Sequence, residues 1–143
     1  RLGIGLFGVI SNNKLKQIST MTSTVSQIRK IKSGEYVGYG LNFCSKKNMK
    51  IGVIPFGYAD GIYKKNNKGN YYVYIKEKKY KIIGDISMDS LIVDLKDSKI
   101  EEGERVILFD SNHSVEEIAK CSNTSTYEIL SNLNRRIKRK YYS

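Results

Sequence analysis

Ile54-Pro55-Phe56-Gly57-Tyr58-Ala59-Asp60-Gly61 ends a strand on a glycine-flanked bend, and the same device occurs twice more. Val37-Gly38-Tyr39-Gly40 precedes it and Ser87-Met88-Asp89 follows it. Each run sets a polar or reactive group where a strand gives way to a bend. Glycine lets the backbone approach a ligand at such a point, because it carries no Cβ. Pro55, the only proline, suits a strand end or bulge, where its missing N–H is tolerated.

The flanking sequence is strand-rich. Ser19 to Ile31 holds Thr20, Thr22, Thr24, Val25, Ile28 and Ile31, a β-branched run that predicts one strand, turned at Ser33-Gly34-Glu35. Lys50 to Phe56 predicts a second strand. Tyr71–Ile75 and Tyr80–Ile83 predict a hairpin around Lys76-Glu77-Lys78-Lys79, after a polar loop at Asn66-Asn67-Lys68-Gly69-Asn70. Ser90–Leu95 and Arg105–Phe109 are further strands, divided by a turn at Glu101-Glu102-Gly103-Glu104. Helical signals come late. Ser114 and Glu117 have the spacing of a capping box and open a helix to about Lys120. A second helix starts near Ser125 or Thr126 and runs through Leu133, with Ile129, Leu130 and Leu133 on one face. The expected fold class is mainly β, a small β-barrel-like domain with two short C-terminal helices. Arg1 to Val9 is rich in glycine and apolar residues, breaks at Ser11-Asn12-Asn13, and reads as the tail of a preceding element with a boundary near Lys14 to Ile18.

Composition sets bounds on function. A chain of 143 residues fits one domain, and 40% apolar with 27% charged residues is ordinary for a globular protein. No run approaches the roughly 20 apolar residues of a membrane span, and no signal peptide is visible, so a cytoplasmic location is expected. Cys44 and Cys121 show neither metal-ligand spacing nor a disulfide framework. The net charge of +11 is mostly lysine, scattered as Lys46-Lys47, Lys64-Lys65 and Lys78-Lys79, with a basic tail from Arg135 to Lys140. Scattered lysine is read as solvated surface, because nucleic-acid binding calls for clustering on one face.

Most catalytic signatures are missing. His113 stands alone in a polar loop with no acid partner evident from spacing, and it reads as a solvated loop residue. No phosphate-binding loop, serine-hydrolase elbow or metal-ligand cluster is present, so no metal is expected. Arg1-Leu2-Gly3-Ile4-Gly5 could cradle a phosphate through backbone N–H groups, on the weak signal of a glycine pair. Tyrosine is unusual, with eleven copies and no tryptophan. Tyr39 and Tyr58 differ from the rest in lying between small residues, which leaves a phenol projecting from bare backbone.

Taken in order, these segments resemble the alanine racemases, which use pyridoxal 5'-phosphate. The likeness runs through Gly34-Glu35, Val37 to Phe43, Ile54 to Gly61, Ile83-Gly84, Met88-Asp89, Glu116-Glu117-Ile118-Ala119 and Tyr127-Glu128-Ile129-Leu130. It implies that residues 1–15 are the tail end of an N-terminal (β/α)₈ barrel and 16–143 the C-terminal β-domain. In that family the barrel holds the cofactor on a lysine. This chain contains neither, and is expected to be inactive alone.

The resemblance also implies roles. Arg1 matches the arginine at the pyridine nitrogen of the cofactor, where a constant positive charge restrains the electron sink. Gly3 and Ile4 match backbone donors to the cofactor phosphate, and Tyr127 matches a tyrosine whose hydroxyl also reaches it. Tyr39 matches the catalytic tyrosine, one of two bases on opposite faces of the substrate. A phenol ordinarily titrates near about 10, so nearby positive charge must stabilise the phenolate. Met88 matches a residue whose backbone N–H meets the substrate carboxylate, while Tyr58 and Asp89 match residues lining the approach. In the family these groups reach the partner subunit's barrel, which implies a homodimer with shared sites and an isolated domain that is monomeric.

Three positions depart from the family pattern. Leu2 and Lys138 replace common prolines, and Asn42 stands near Tyr39 where threonine is common. The expected function is interconversion of L- and D-alanine for bacterial peptidoglycan and the cell wall, with neither nucleic acid nor membrane as partner. Serine or broad-spectrum racemisation is one alternative. Others are a basic β-barrel that binds nucleic acid, and an interaction module that has lost catalysis.

Overall fold

In a computed structural model that describes residues 3–9, 15–64 and 71–142, the run from Ser19 to Ile31 is two strands rather than one. β1 (Met21–Thr24) and β2 (Gln27–Ile31) flank a corner at Val25 and Ser26. The Val25 N–H donates to Glu104 O at 2.9 Å, and the Ser26 N–H donates to Val53 O at 2.9 Å. The backbone thus changes partner within two residues. Arg1 and Leu2, the predicted break at Ser11 to Asn13 and the loop Asn66 to Asn70 lie outside the described residues.

The other strands are β3 (Tyr36–Val37), β4 (Phe43–Cys44), β5 (Met49–Ile54), β6 (Tyr72–Ile75), β7 (Lys78–Ile83), β8 (Leu91–Asp94) and β9 (Arg105–Phe109). Seven of the nine form one antiparallel sheet in the order β1-β9-β6-β7-β8-β5-β2. Its two edge strands, β1 and β2, are joined only by Val25 and Ser26. Three peptide steps reach about 11 Å at most, so the sheet must curl until its edges share that corner. The barrel-like curvature follows from this link.

The concave side holds the main core. Ile54, Ile75, Leu91, Val93, Leu95 and Val106 are completely or almost completely buried there. β8 shows the period-two pattern, with Leu91 and Val93 buried and Ile92 and Asp94 half-buried. Ile4 and Val9, from the N-terminal 3₁₀ turn (Gly3–Phe7) and its exit, join the same core.

A second, smaller cluster of Ile31, Val37, Ile51 and Ile83 lies on the opposite face, packed with Phe43, Met49 and Ile92. The two-stranded β3–β4 ribbon covers it. Two paired positions cannot hold such a ribbon alone. Burying Val37 adds about 1.5–3 kcal/mol, and that contact seats the ribbon and the loop at its tip.

The β6–β7 turn is only Lys76 and Glu77, both at positive φ, where four residues were expected. Lys76 also pairs with Glu104. α1 (Val115–Ser122) and α2 (Thr126–Asn132) follow β9 and cover the core with Val115, Ile118, Ala119 and Ile129. Ser114 and Ser125 cap them, accepting from Glu116 N–H and Glu128 N–H. The expected capping box at α1 does not close on Ser114, because the Glu117 carboxylate turns to Tyr74 instead.

Candidate active site

Residues 84–90, between β7 and β8, gather the predicted tyrosine and substrate-binding positions. Tyr39 stands at the tip of the β3–β4 ribbon and is 93% exposed. Its loop lies directly on Gly84 and Asp85. A Cβ on Gly84, at φ +67°, would come within 2.7 Å of Val37 O. One on Gly38, at φ +86°, would sit 3.0 Å from the Asp85 nitrogen. Asn42 Nδ2 donates to Asp85 Oδ2 at 2.6 Å, fixing the far side of the loop. Small residues around Tyr39 thus serve backbone-to-backbone contact as well as exposure.

Tyr58 belongs to a 3₁₀ turn, Tyr58–Asp60, laid against the next residues of the same segment. The Tyr58 N–H donates to Ser87 O and the Ala59 N–H to Met88 O, both at 3.0 Å. Asp60 is buried, and its Oδ2 accepts the Gly57 N–H at 2.8 Å. Gly61 ends the turn at φ +116°. The Ser87 hydroxyl shapes the other side, accepting from Ser90 N–H at 3.0 Å. Met88 is half exposed, and its N–H has no hydrogen-bond partner among the described residues. Asp89 is exposed and pairs with Arg136. Lys64 Nζ lies 5.6 Å from the centre of the Tyr58 ring.

Gly3, Ile4 and Tyr127 sit on other elements. Gly3 has φ +51°, and a Cβ there would lie 3.5 Å from the Tyr127 hydroxyl. Tyr127, near the start of α2, is 60% exposed. Ile4 is buried by its side chain, so its backbone is what it can offer a ligand. A hydroxyl without a hydrogen bond among the described residues, beside a glycine backbone, fits the phosphate end of the implied cofactor. Arg1, the expected partner of the cofactor ring, lies outside the described residues.

Sequence reading missed the residues that hold the site together: Asp85, Asp60 and Arg136. It also misread His113. His113 Nδ1 lies 2.9 Å from Asp110 Oδ1, and its ring packs 3.6 Å from the Tyr74 ring at a 33° tilt. The imidazole is a packed end to the β9–α1 loop. Burial pushes the Asp110 carboxyl up. The amides of Asn112 and His113 and the His113 ring outweigh that and hold it below the ordinary value.

Nearby, the Tyr74 hydroxyl donates to Glu117 Oε2 at 2.7 Å and Lys79 Nζ lies 3.3 Å from the same oxygen. The Tyr74 hydrogen bond, with the Lys79 charge and against partial burial, holds the Glu117 carboxyl below its usual range. A depressed carboxyl stabilises the fold above its unfolded value, and that contribution is lost as pH falls through the folded one. Glu117→Gln is expected to lower the urea midpoint at pH 7, and the gap from wild type narrows as pH falls from the ordinary carboxylate range through the lower folded value. Urea titrations at pH 7 and pH 3 measure it. An equal gap at both would show that shape, and not charge, is what Glu117 supplies.

Comparison with known proteins points one way. The family model described as alanine racemase, C-terminal domain, matches residues 18–141. The alanine racemase of Borreliella burgdorferi strain ZS7 is 38% identical across 99% of this chain and 40% of its own length. Among solved structures, the biosynthetic alanine racemase of Pseudomonas aeruginosa superposes with a TM-score of 0.91 at 31% identity, covering 99% of this chain and 41% of its own. The Bartonella henselae alanine racemase with covalently bound pyridoxal phosphate gives a TM-score of 0.88 at 35% identity, covering 98% and 40%. The chain spans about two fifths of the length of the relatives it matches. With a family match over most of its length and a curled β-domain superposable on solved relatives, the chain belongs to the alanine racemase C-terminal domain family.

Proposed function

We propose that this chain is the C-terminal domain of a pyridoxal-phosphate-dependent alanine racemase, preceded in the full protein by a barrel domain that holds most of the cofactor. The observation that carries the reading is the surface built on residues 84–90. It presents the Tyr39 phenol and the Met88 N–H outward, neither with a hydrogen-bond partner among the described residues. Both groups are therefore free to meet a ligand or a partner outside the chain.

Bound pyridoxal phosphate supplies an electron sink that acidifies the α-C–H of an amino acid. Tyr39 Oη is the base or acid for that proton on one face of the substrate, and a lysine outside this chain serves the other. The Met88 N–H binds the substrate carboxylate, and Tyr58 and Asp89 line the way in. The Gly3 and Ile4 amides and the Tyr127 hydroxyl would hold the cofactor phosphate, and Arg1 would serve the ring nitrogen, as the family resemblance implies. The outward display of Tyr39 and Met88 suits donation to a partner subunit's barrel in a head-to-tail homodimer, with the isolated domain monomeric. We place the activity in the cytoplasm, supplying D-alanine for peptidoglycan. Among the described residues no helix is long and apolar enough to cross a membrane.

The basic tail gives little support to the nucleic-acid alternative, since Arg136 is engaged by Asp60 and Asp89 and Arg139 by Leu133 O. The test compares this chain alone with the chain joined to its native upstream sequence. Both are assayed with added pyridoxal phosphate on L-alanine and L-serine. Racemisation of alanine by the longer form only is expected. Absence of racemisation of either amino acid by the longer form overturns the reading, and preference for serine would transfer it to that substrate.

A further inference from the structure

Arg136 lies in the tail that its sequence suggests is solvated, yet its guanidinium joins two loops of the candidate site. Nε lies 2.7 Å from Asp60 Oδ1, and an Nη nitrogen lies 2.8 Å from Asp89 Oδ1. Asp60 is already committed to its own turn through the Gly57 N–H. The tail is brought alongside by the Asn134 N–H, which donates to Asp60 O at 3.2 Å. The Arg136 N–H in turn donates to Asn134 Oδ1 at 3.0 Å. Three segments distant in sequence therefore meet at one planar fork.

The fork's position matters more than its strength. Asp60 ends the turn that begins with Tyr58, and Asp89 directly follows Met88. Holding both carboxylates braces the Tyr58 turn against the Met88–Asp89 corner, in addition to the two backbone hydrogen bonds that join them. The Arg136 side chain is 44% exposed and that of Asp89 is 60% exposed. Ion pairs so open to water add little to global stability. A guanidinium can present two nitrogens to two carboxylates at once, whereas a lysine ammonium is a single point of charge.

We propose that Arg136 is a positioning residue of the site. It sets the Met88–Asp89 corner against the Tyr58 turn and so controls how an amino-acid substrate is received, without contacting the substrate itself. This rests on the racemase reading above.

The test uses the full-length protein with its cofactor. Arg136→Ala is expected to raise KM for alanine about tenfold, the scale of losing a charge-assisted hydrogen bond, with kcat within about threefold. Arg136→Lys should recover only part of the loss. Asp89→Asn should raise KM similarly, and the double variant should be no worse than Arg136→Ala, as expected for residues acting through one contact. In hydrogen exchange, peptides covering residues 57–61 and 87–90 should exchange faster in Arg136→Ala, with β5 and β8 unchanged.

An unchanged KM, or additive effects in the double variant, overturns the proposal. So does faster exchange throughout the strands, which would mark a merely structural role. If the wild-type full-length protein racemises neither alanine nor serine, the racemase reading has failed. Exchange at the two loops then decides the clamp, and unchanged exchange there overturns it as well.

Discussion

Tyr39→Phe in the full-length protein is expected to lower alanine racemisation by about two to four orders of magnitude, the usual worth of a positioned general base. The substitution deletes only the hydroxyl. Gly38, Gly40 and the Asn42–Asp85 hydrogen bond that seat the loop remain. Since Tyr39 is 93% exposed, thermal stability should hardly move. The two enantiomers of alanine have equal free energy, so kcat/KM must fall by one factor in both directions. What distinguishes the directions is exchange of the α-hydrogen with solvent. In D₂O, the enantiomer whose proton faces the remaining base should still take up deuterium without inverting, and the other should exchange far more slowly. Racemisation within about threefold of wild type would remove Tyr39 from the proton-transfer step.

Gly57→Ala is the second large effect, and it acts on the scaffold. A Cβ at Gly57 would lie 2.3 Å from Met88 O, 2.4 Å from Met88 C and 2.5 Å from Ser87 O. All three are backbone atoms, and the Tyr58 and Ala59 amides are bonded to two of those carbonyls. The new methyl must therefore force the turn off residues 87–88. Overpacking costs about 1–3 kcal/mol, and the two hydrogen bonds put at risk add about 1 kcal/mol each. A loss of about 3–5 kcal/mol should lower Tm by roughly 10–20 °C. Gly103→Ala is the control: φ there is +88° but nothing lies within 4 Å of the added atom. It should cost about 1 kcal/mol from backbone strain alone. Equal Tm values for the two variants would show that the Gly57 contact yields easily.

The sequence made some elements plain. β9 lies where its continuous apolar run placed it, and both helices begin after the serines that cap them. Elements without local punctuation were harder to see. The corner at Val25-Ser26 sits inside a run rich in β-branched residues, with no glycine or proline to mark it. Only a change of hydrogen-bond partner, from Glu104 O to Val53 O, makes it a corner. β3 and β4 pair at just two positions each, too few for a periodic signal. The Lys76-Glu77 turn takes positive φ without the Asn-Gly that normally advertises it.

The same contrast holds at the site. Tyr39, Tyr58, Met88 and Asp89 could be picked out because the family resemblance marks them. Their roles remain proposals, although the fold does bring them round one segment. Asp85, Asp60 and Arg136 could not be picked out, since each acts through a partner far along the chain. His113 shows a subtler failure. Its acid partner is only three residues away, but a loop spacing of three implies contact only once the Asp110 carboxylate has folded back over the Asn112 and His113 amides.

The corner that curls the sheet also sets a clock. Among the described strands β1 has only β9 beside it, with Met21 opposite Phe109, so the first strand of this sheet must wait for its last. At about 5–20 residues per second of synthesis, that wait lasts several seconds. Throughout it Met21–Thr24 is an unpaired edge on a nascent chain, the condition in which strands find wrong partners. Loop-closure entropy grows only slowly with length, so the finished domain loses little by so distant a pairing. What the corner decides is the moment during translation at which this fold can first exist.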